Sequence, residues 1–329
     1  MITESTIADF FVVTPFSNTC RYASRPKLYW RFKEMLAQAN IPLVTVELAL
    51  GNRAFEVTKS EDPFNLRLRT YDEYWHKESL INLGIAHGRR LLPNASKVAW
   101  VDADCRPARP YRDWFEETWH ELQHYEFVQM WEWMQNLDVY YSPIEDPRTH
   151  PSFMANYIRY GTPYPPSVDK CGPYNPGARH WGSPGLAWAA NLEALDRIGC
   201  IADWTILGAG DWYLAHMLIS DLSVPQFHGY SPGYKEMFFR KQELCDRWIK
   251  RDVGFVRGLV FHDYHGKSRD RKYNSRENIL KKWQFDPHTD LKRDSNGLYQ
   301  LETHTPRQIG LRDDVRQYFR QTNSDSIDL

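Results

Sequence analysis

The stretch KVAWVDADCRP, residues 97–107, carries the apolar run Val98, Ala99, Trp100 and Val101 straight into two aspartates, Asp102 and Asp104, separated by one small residue. At the end of a strand the turn lets both carboxylates converge on one cation. Mg²⁺ and Mn²⁺ take carboxylate oxygens and complete their shells with water and substrate phosphates. The same residues also suit a turn rich in capping carboxylates. What singles the triplet out is its placement after an apolar strand, and that it is the one Asp-x-Asp in the chain.

A second group lies far downstream in FHDYHGKSRDRKY, residues 261–273, where His262 and His265 leave a strand and Lys267, Arg269, Arg271 and Lys272 follow. Histidine is the commonest side-chain ligand of transition metals, and Arg and Lys pair with phosphate oxygens. Residues 250–282 hold ten Lys or Arg against four Asp or Glu, so a diphosphate would suit this loop. A third group joins GSPGLAWAA (182–190) to LGAGDWYLA (207–215). Glycines let a backbone approach a ligand closely. Asp211, at a helix start, could serve as a general base facing a cleft or as an N-cap.

The elements that must position these groups follow from periodicity. FFVVTPF (10–16) and IPLVTVELAL (41–50) read as strands around a helical PKLYWRFKEMLAQAN (26–40), a βαβ unit with parallel strands. WHKESLINLGIAHGRRLLP (75–93) reads as an amphipathic helix stopped by Pro93, and the strand before Asp102 follows as the third of the series. In such open sheets the ligand sits at the carboxyl ends of the strands. YEFVQMWEWM (125–134) is strand-like. Residues 142–185, dense in Pro, Gly and Tyr, read as a functional lid or a disordered insertion, the aromatic content favouring the lid. LAWAANLEALDRIG (186–199) and AGDWYLAHMLIS (209–220) read as helices, and 257–283 as a strand, a basic loop and a helix.

Composition narrows the class. The 329 residues are 42% hydrophobic and 25% charged, with a formal net charge of -1, which suits a globular fold and excludes a sequence-independent nucleic-acid binder with a dominant basic face. Five scattered cysteines without a Cys-x-x-Cys pair indicate neither a disulfide framework nor a zinc knuckle. No run approaches the roughly 20 apolar residues that span a bilayer, and the N-terminus lacks the order of a signal peptide. A cytoplasmic protein with no membrane span is expected.

The ordered set, a strand ending in Asp-x-Asp, a later Gly-rich segment, an acid in a Gly-x-Gly-Asp context and a distal His beside basic residues, resembles the GT-A glycosyltransferases. The nearest likeness is to family 2-like and β-1,4-galactosyltransferase-like members, including those of bacteriophages, which would place the protein in a host cytoplasm. The likeness runs from Phe10 to about Asp294. It implies an α/β fold of Rossmann-like form, with a mostly parallel central sheet flanked by helices, an acceptor-side lid and a C-terminal extension. A single domain over 1–295 would hold a nucleotide-sugar half (1–135) and an acceptor and catalytic half (136–295), with 296–329 as a tail.

The resemblance further implies a metal-dependent inverting transfer from a nucleotide sugar, UDP- or GDP-linked, to a hydroxyl acceptor that is a glycan or a modified DNA base. Asp102 and Asp104 would be the motif for Mn²⁺ or Mg²⁺, with Asp104 placed ahead of Asp102 as the direct ligand. HGKSRDRK matches a family pattern that makes His265 the third ligand, while His262 stands nearer the strand end. Thr14, Pro15, Arg21, Glu47, Lys77, Asn82, Asp102 and Gly185 would bind the donor, joined by Lys267, Arg269 and Arg271. Asp211 would be the catalytic base, although the family usually carries a paired acidic motif where this chain has Gly210, Asp211 and Trp212. Two alternatives stand beside this one. A nucleotidyltransferase would show a Gly-rich, Lys-bearing signature near the first strand, where this chain has VTPFSNTCRYASR. A non-catalytic glycan- or nucleic-acid-binding relative would keep the fold without turnover.

Overall fold

The computed structural model describes residues 7, 9–144, 150–165, 181–267, 270, 272 and 276–326. Its first elements are β1 (Phe10–Ser17), α1 (Ser24–Ala37), β2 (Leu43–Leu50), β3 (Asn65–Thr70), α2 (Lys77–Leu91) and β4 (Lys97–Val101). β1 pairs in parallel with β2 on one side and with β4 on the other. Alternate side chains of β1 enter two separate cores. Phe11 and Val13 pack with Leu80, Ile81 and Ile85 of α2. Phe10 and Val12 pack with Phe32 and Leu36 of α1. Burial on both faces explains why these strands read as continuous apolar runs.

The chain continues through β5 (Cys105–Pro107), α3 (Tyr111–Glu121), β6 (Phe127–Gln129), β7 (Trp133–Asn136), β8 (His150–Pro151), α4 (Phe153–Tyr160), β9 (Ala187–Asn191) and α5 (Leu192–Ile198). Then come α6 (Gly210–Leu218), α7 (Pro232–Trp248), β10 (Val253–Phe255), β11 (Leu259–His262), α8 (Arg276–Lys282), α9 (Pro287–Asp290), β12 (Leu291–Arg293), β13 (Tyr299–Leu301) and α10 (Pro306–Gln321). The main sheet has seven strands in the order β10-β6-β9-β4-β1-β2-β3. Only β9 runs antiparallel to its neighbours, so the sheet is mostly parallel and flanked by helices, the α/β class expected. A second sheet, β5-β11-β7-β8, stands beyond the carboxyl end of β4. Among the described residues no helix is long and apolar enough to cross a membrane.

Three sequence expectations change. Residues 186–199 are not one helix: Ala187–Asn191 is the buried central strand β9, and only Leu192–Ile198 is helical. The 125–134 run is two short strands in two different sheets, β6 and β7. β3, with a half-exposed face, lacks an apolar run, so the strand before Asp102 is the fourth in the chain. The 142–185 stretch contributes β8 and α4, capped by Ser152 Oγ at one end and by Gly161 at the other. The rest of the expected lid, 145–149 and 166–180, lies outside the described residues.

Candidate active site

The turn after β4 is closed by backbone bonds: Asp102 N–H donates to Leu186 O (2.8 Å) and Cys105 N–H to Asp102 O (2.9 Å). β5 then pairs antiparallel with β11, setting His262 opposite Cys105. β7 pairs with the other edge of β11 and sets Asn136 opposite His262. Asp263 N–H donates to Asp104 O at 2.8 Å, which pins the loop after β11 to the Asp-x-Asp turn. Residues about 160 positions apart in sequence thus meet through a strand ladder, a rigid way to hold a site.

The result is a compact set of donors. Ligand atoms of Asp104, His262 and His265 all lie within 4.8 Å of one another. The two His Nε2 atoms are 2.9 Å apart, and Asp104 Oδ2 is 3.3 Å from that of His265 and 3.8 Å from that of His262. Asn136 Oδ1, 2.9 Å from His262 Nδ1, can only accept, so Nδ1 carries the proton and the lone pair of a neutral His262 sits on Nε2, facing the cluster. Asp104 Oδ1 is buried and has no hydrogen-bond partner among the described residues. Leaving such an oxygen unsatisfied costs roughly 1–3 kcal/mol, a cost that a bound cation would remove. Burial works to raise the Asp104 carboxyl, and His265, His262, Arg25 and Lys77 outweigh it, holding it down at about 2. One carboxylate and two imidazoles, with an orphaned oxygen and a braced tautomer, fit a divalent metal ion.

Asp102 lies beside this cluster rather than in it, and its Oδ2 takes the Lys77 ammonium at 2.6 Å. Burial opposes the charge on Lys77, but Asp102, Asp211 and Glu78 outweigh it and hold its pKa above the usual lysine range. Asp211 is the second residue of α6, entered through Ala209 in the left-handed region at φ 69°. Its Oδ1 accepts the Trp212 N–H at 2.8 Å. A Cβ at position 185 would stand 3.0 Å from Asp211 Oδ2, so Gly185 leaves room for that carboxylate. At position 210 a Cβ would run into the Glu78 carboxyl, which packs against α6 at this point. Burial lifts Glu78 to about 7 against the pull of Lys77, and the Asp211 charge adds to the lift.

These groups share one cavity of about 500 Å³, onto which Pro15, Lys77, Asp102, Asp104, Gly185, Asp211, His262 and His265 all open. Among the described residues, five of the expected donor residues do not line it. Thr14 is fully buried and donates to Val101 O. Glu47 accepts from the backbone of Glu56, Val57 and Thr58 and from the Thr58 hydroxyl, and so braces a loop. Asn82 pairs both amide atoms with the Ile201 backbone. Arg21 lines an adjoining smaller cavity together with Arg53 and Arg320. Lys267 uses its backbone N–H on Ser326 Oγ and is not on the cavity wall. Arg269 and Arg271 lie outside the described residues.

Sequence reasoning missed several cavity residues: Tyr22, Arg25, His76, Glu78, Tyr318 and Phe319. Glu78 carried a signal, an acid beside Lys77 on the buried face of a helix start. The C-terminal pair carried none, because nothing local ties α10 to β1.

No protein-family model matches the chain, and no curated protein sequence matches it. Solved structures do. A Drosophila β1,4-galactosyltransferase 7 variant, crystallised with manganese, UDP-Gal and xylobiose, is 10% identical with a TM-score of 0.39, covering 92% of this chain and 98% of that one. The catalytic domain of Drosophila β1,4-galactosyltransferase 7 with xylobiose is 11% identical with a TM-score of 0.36, over 92% and 98%. A Bacillus anthracis protein described as a glucose-1-phosphate thymidylyltransferase, in complex with sucrose, is 9% identical with a TM-score of 0.36, over 75% and 86%.

Proposed function

We propose that this chain is a metal-dependent inverting glycosyltransferase that moves a sugar from a nucleoside-diphosphate sugar to a hydroxyl acceptor. One observation carries the proposal: the Asp104, His262 and His265 cluster and the carboxylate of Asp211 open onto the same cavity. Asp104, His265 and His262 would hold Mn²⁺ or Mg²⁺, which supplies positive charge to offset that of a departing diphosphate. Two imidazole nitrogens favour Mn²⁺, since Mg²⁺ prefers oxygen donors.

The chain's own residues account for the rest. Asp211 accepts the proton of the acceptor hydroxyl as its oxygen bonds to the anomeric carbon. The bond from that carbon to the diphosphate oxygen breaks, its electron pair leaving with the nucleoside diphosphate, and attack from the opposite face inverts the centre. Lys77 holds Asp102 beside this path, and its charge also faces Asp211. Arg25, on the cavity wall and electrostatically coupled to Asp104, adds positive charge where the diphosphate leaves. Arg269 and Arg271, in the basic run after His265, are assigned the same task.

A glycan acceptor suits the flank of Asp211. There Trp212 donates its indole N–H to Tyr164, whose ring lies 4.7 Å from the exposed Trp181, and such rings stack on sugar faces. The test is a nucleotide-release screen over UDP- and GDP-sugars with Mn²⁺, followed by mass spectrometry of glycans incubated with the active donor. Release of UDP or GDP supports the proposal. Release of pyrophosphate from a nucleoside triphosphate and a sugar 1-phosphate would instead establish a nucleotidyltransferase, and no turnover with any donor would leave a binding protein.

A further inference from the structure

We infer that the C-terminal segment Tyr318–Ser326 is part of the donor site, a strap that walls the cavity and a binding determinant for the nucleoside diphosphate; this rests on the donor-site assignment above. α10 is anchored by Leu311, Val315 and Tyr318, all buried in the main core. From its last turn onward, Tyr318, Phe319, Thr322 and Ser324 face the cavity that also holds Asp104 and Asp211.

The trailing residues are fastened on two sides. On the side of the β1 loop, Cys20 Sγ donates to Phe319 O (3.3 Å) and the Tyr22 hydroxyl to Thr322 O (2.7 Å). The Asp325 carboxylate accepts the N–H groups of Ala23 (2.5 Å) and Ser24 (3.0 Å). On the side of the metal cluster, Lys267 N–H donates to Ser326 Oγ (3.1 Å), the Tyr264 hydroxyl donates to Ser326 O, and Asn323 N–H donates to Asp270 O (3.0 Å). His265 therefore sits in a loop held on both sides by Ser326. The strap joins the loop that leads into Arg25 to the loop that carries a metal ligand. A segment that is fastened on both flanks of a cavity and lines it between them is placed to touch whatever fills the cavity.

The surface it offers suits a nucleoside. Phe319 and Tyr318, with Tyr22 beside them, provide the planar apolar contact a base requires, and the hydroxyls of Thr322 and Ser324 lie within the same wall. Because binding and ordering are linked, the strap strengthens nucleotide binding and the nucleotide holds the strap.

The experiment titrates UDP and GDP, each with Mn²⁺, into the full chain, a chain ending at Gln321 and an Asp325→Ala variant by calorimetry. The full chain is expected to bind one of the nucleotides. The shortened chain should bind it about tenfold more weakly or worse, and Asp325→Ala several-fold more weakly, as lost hydrogen bonds of this kind imply. Nucleotide with Mn²⁺ should also slow carboxypeptidase digestion of the full chain. Should the shortened chain fail to fold, Asp325→Ala and the digestion decide. Binding within about twofold of the full chain in both variants, or digestion unaffected by nucleotide, overturns the strap while leaving the donor site standing. No binding of either nucleotide to the full chain overturns the donor-site assignment, and the strap with it.

Discussion

The Nε2 atoms of His262 and His265 face each other at 2.9 Å. Two imidazole nitrogens hold such a position only if a proton or a cation stands between them, and Asp104 Oδ2 closes the third side. His265 is the nearer of the two to Asp104 and the more deeply buried. His265→Ala is therefore expected to weaken Mn²⁺ binding more than His262→Ala. Titration of Mn²⁺ into each variant checks this, and the reverse order would make His262 the principal ligand.

Asn136 fixes the tautomer of His262 through its Nδ1. Asn136→Ala should lower Mn²⁺ affinity by about tenfold while the thermal midpoint changes little. An unchanged affinity would show that the β7 contact orients nothing.

Gly185 faces Asp211 Oδ2 so closely that a methyl group would press on the carboxylate. In Gly185→Ala, kcat should fall by about tenfold or more while the KM for donor stays near its original value, as expected if the displaced Asp211 carboxylate is the proposed base. Asp211→Asn removes the proposed base and should cost orders of magnitude in transfer with nucleotide binding kept. Steady-state kinetics on both variants checks the pair; full transfer by Asp211→Asn would move the base elsewhere.

Glu78 gives a prediction about pH. Its folded pKa, about 7, lies above the ordinary 4.5, so between those values the folded chain binds the proton that the unfolded chain has already lost. Glu78 therefore favours the folded state less and less as pH rises through that window. Glu78→Gln cannot ionise, and its stability relative to the parent should rise by up to about 3 kcal/mol from pH 4.5 to pH 8. Urea unfolding at the two pH values measures the difference; a constant difference would mean that Glu78 titrates alike in the folded and unfolded chain.

What the sequence disclosed depended on how local each signal was. Asp102, Asp104, His262 and His265 stood out because the Asp-x-Asp triplet occurs once and follows an apolar strand, and because their order along the chain resembles a known pattern. Thr14, Glu47 and Asn82 sit near the same strand ends, yet their partners are the Val101 carbonyl, the 56–58 loop and the Ile201 backbone, which no local pattern announces. β9 reads as a helix because Ala187, Trp188, Ala189 and Ala190 are buried on both faces, and a short run without polar alternation has no period to reveal. The separation of Asp102 from the metal cluster depends on Lys77 arriving from α2. The wall supplied by Tyr318 and Phe319 depends on contacts across some 300 positions of sequence, such as that between Tyr22 and Thr322.

Asp104, His262 and His265 form the proposed metal site for a nucleoside diphosphate. Its most direct test is the free Mn²⁺ signal in electron paramagnetic resonance as the ion is titrated into the protein with UDP or GDP. A single saturable site should appear in the wild-type chain, vanish in Asp104→Ala and persist in Asp211→Asn. Equal Mn²⁺ binding by the wild type and Asp104→Ala would show that this cluster does not hold the metal.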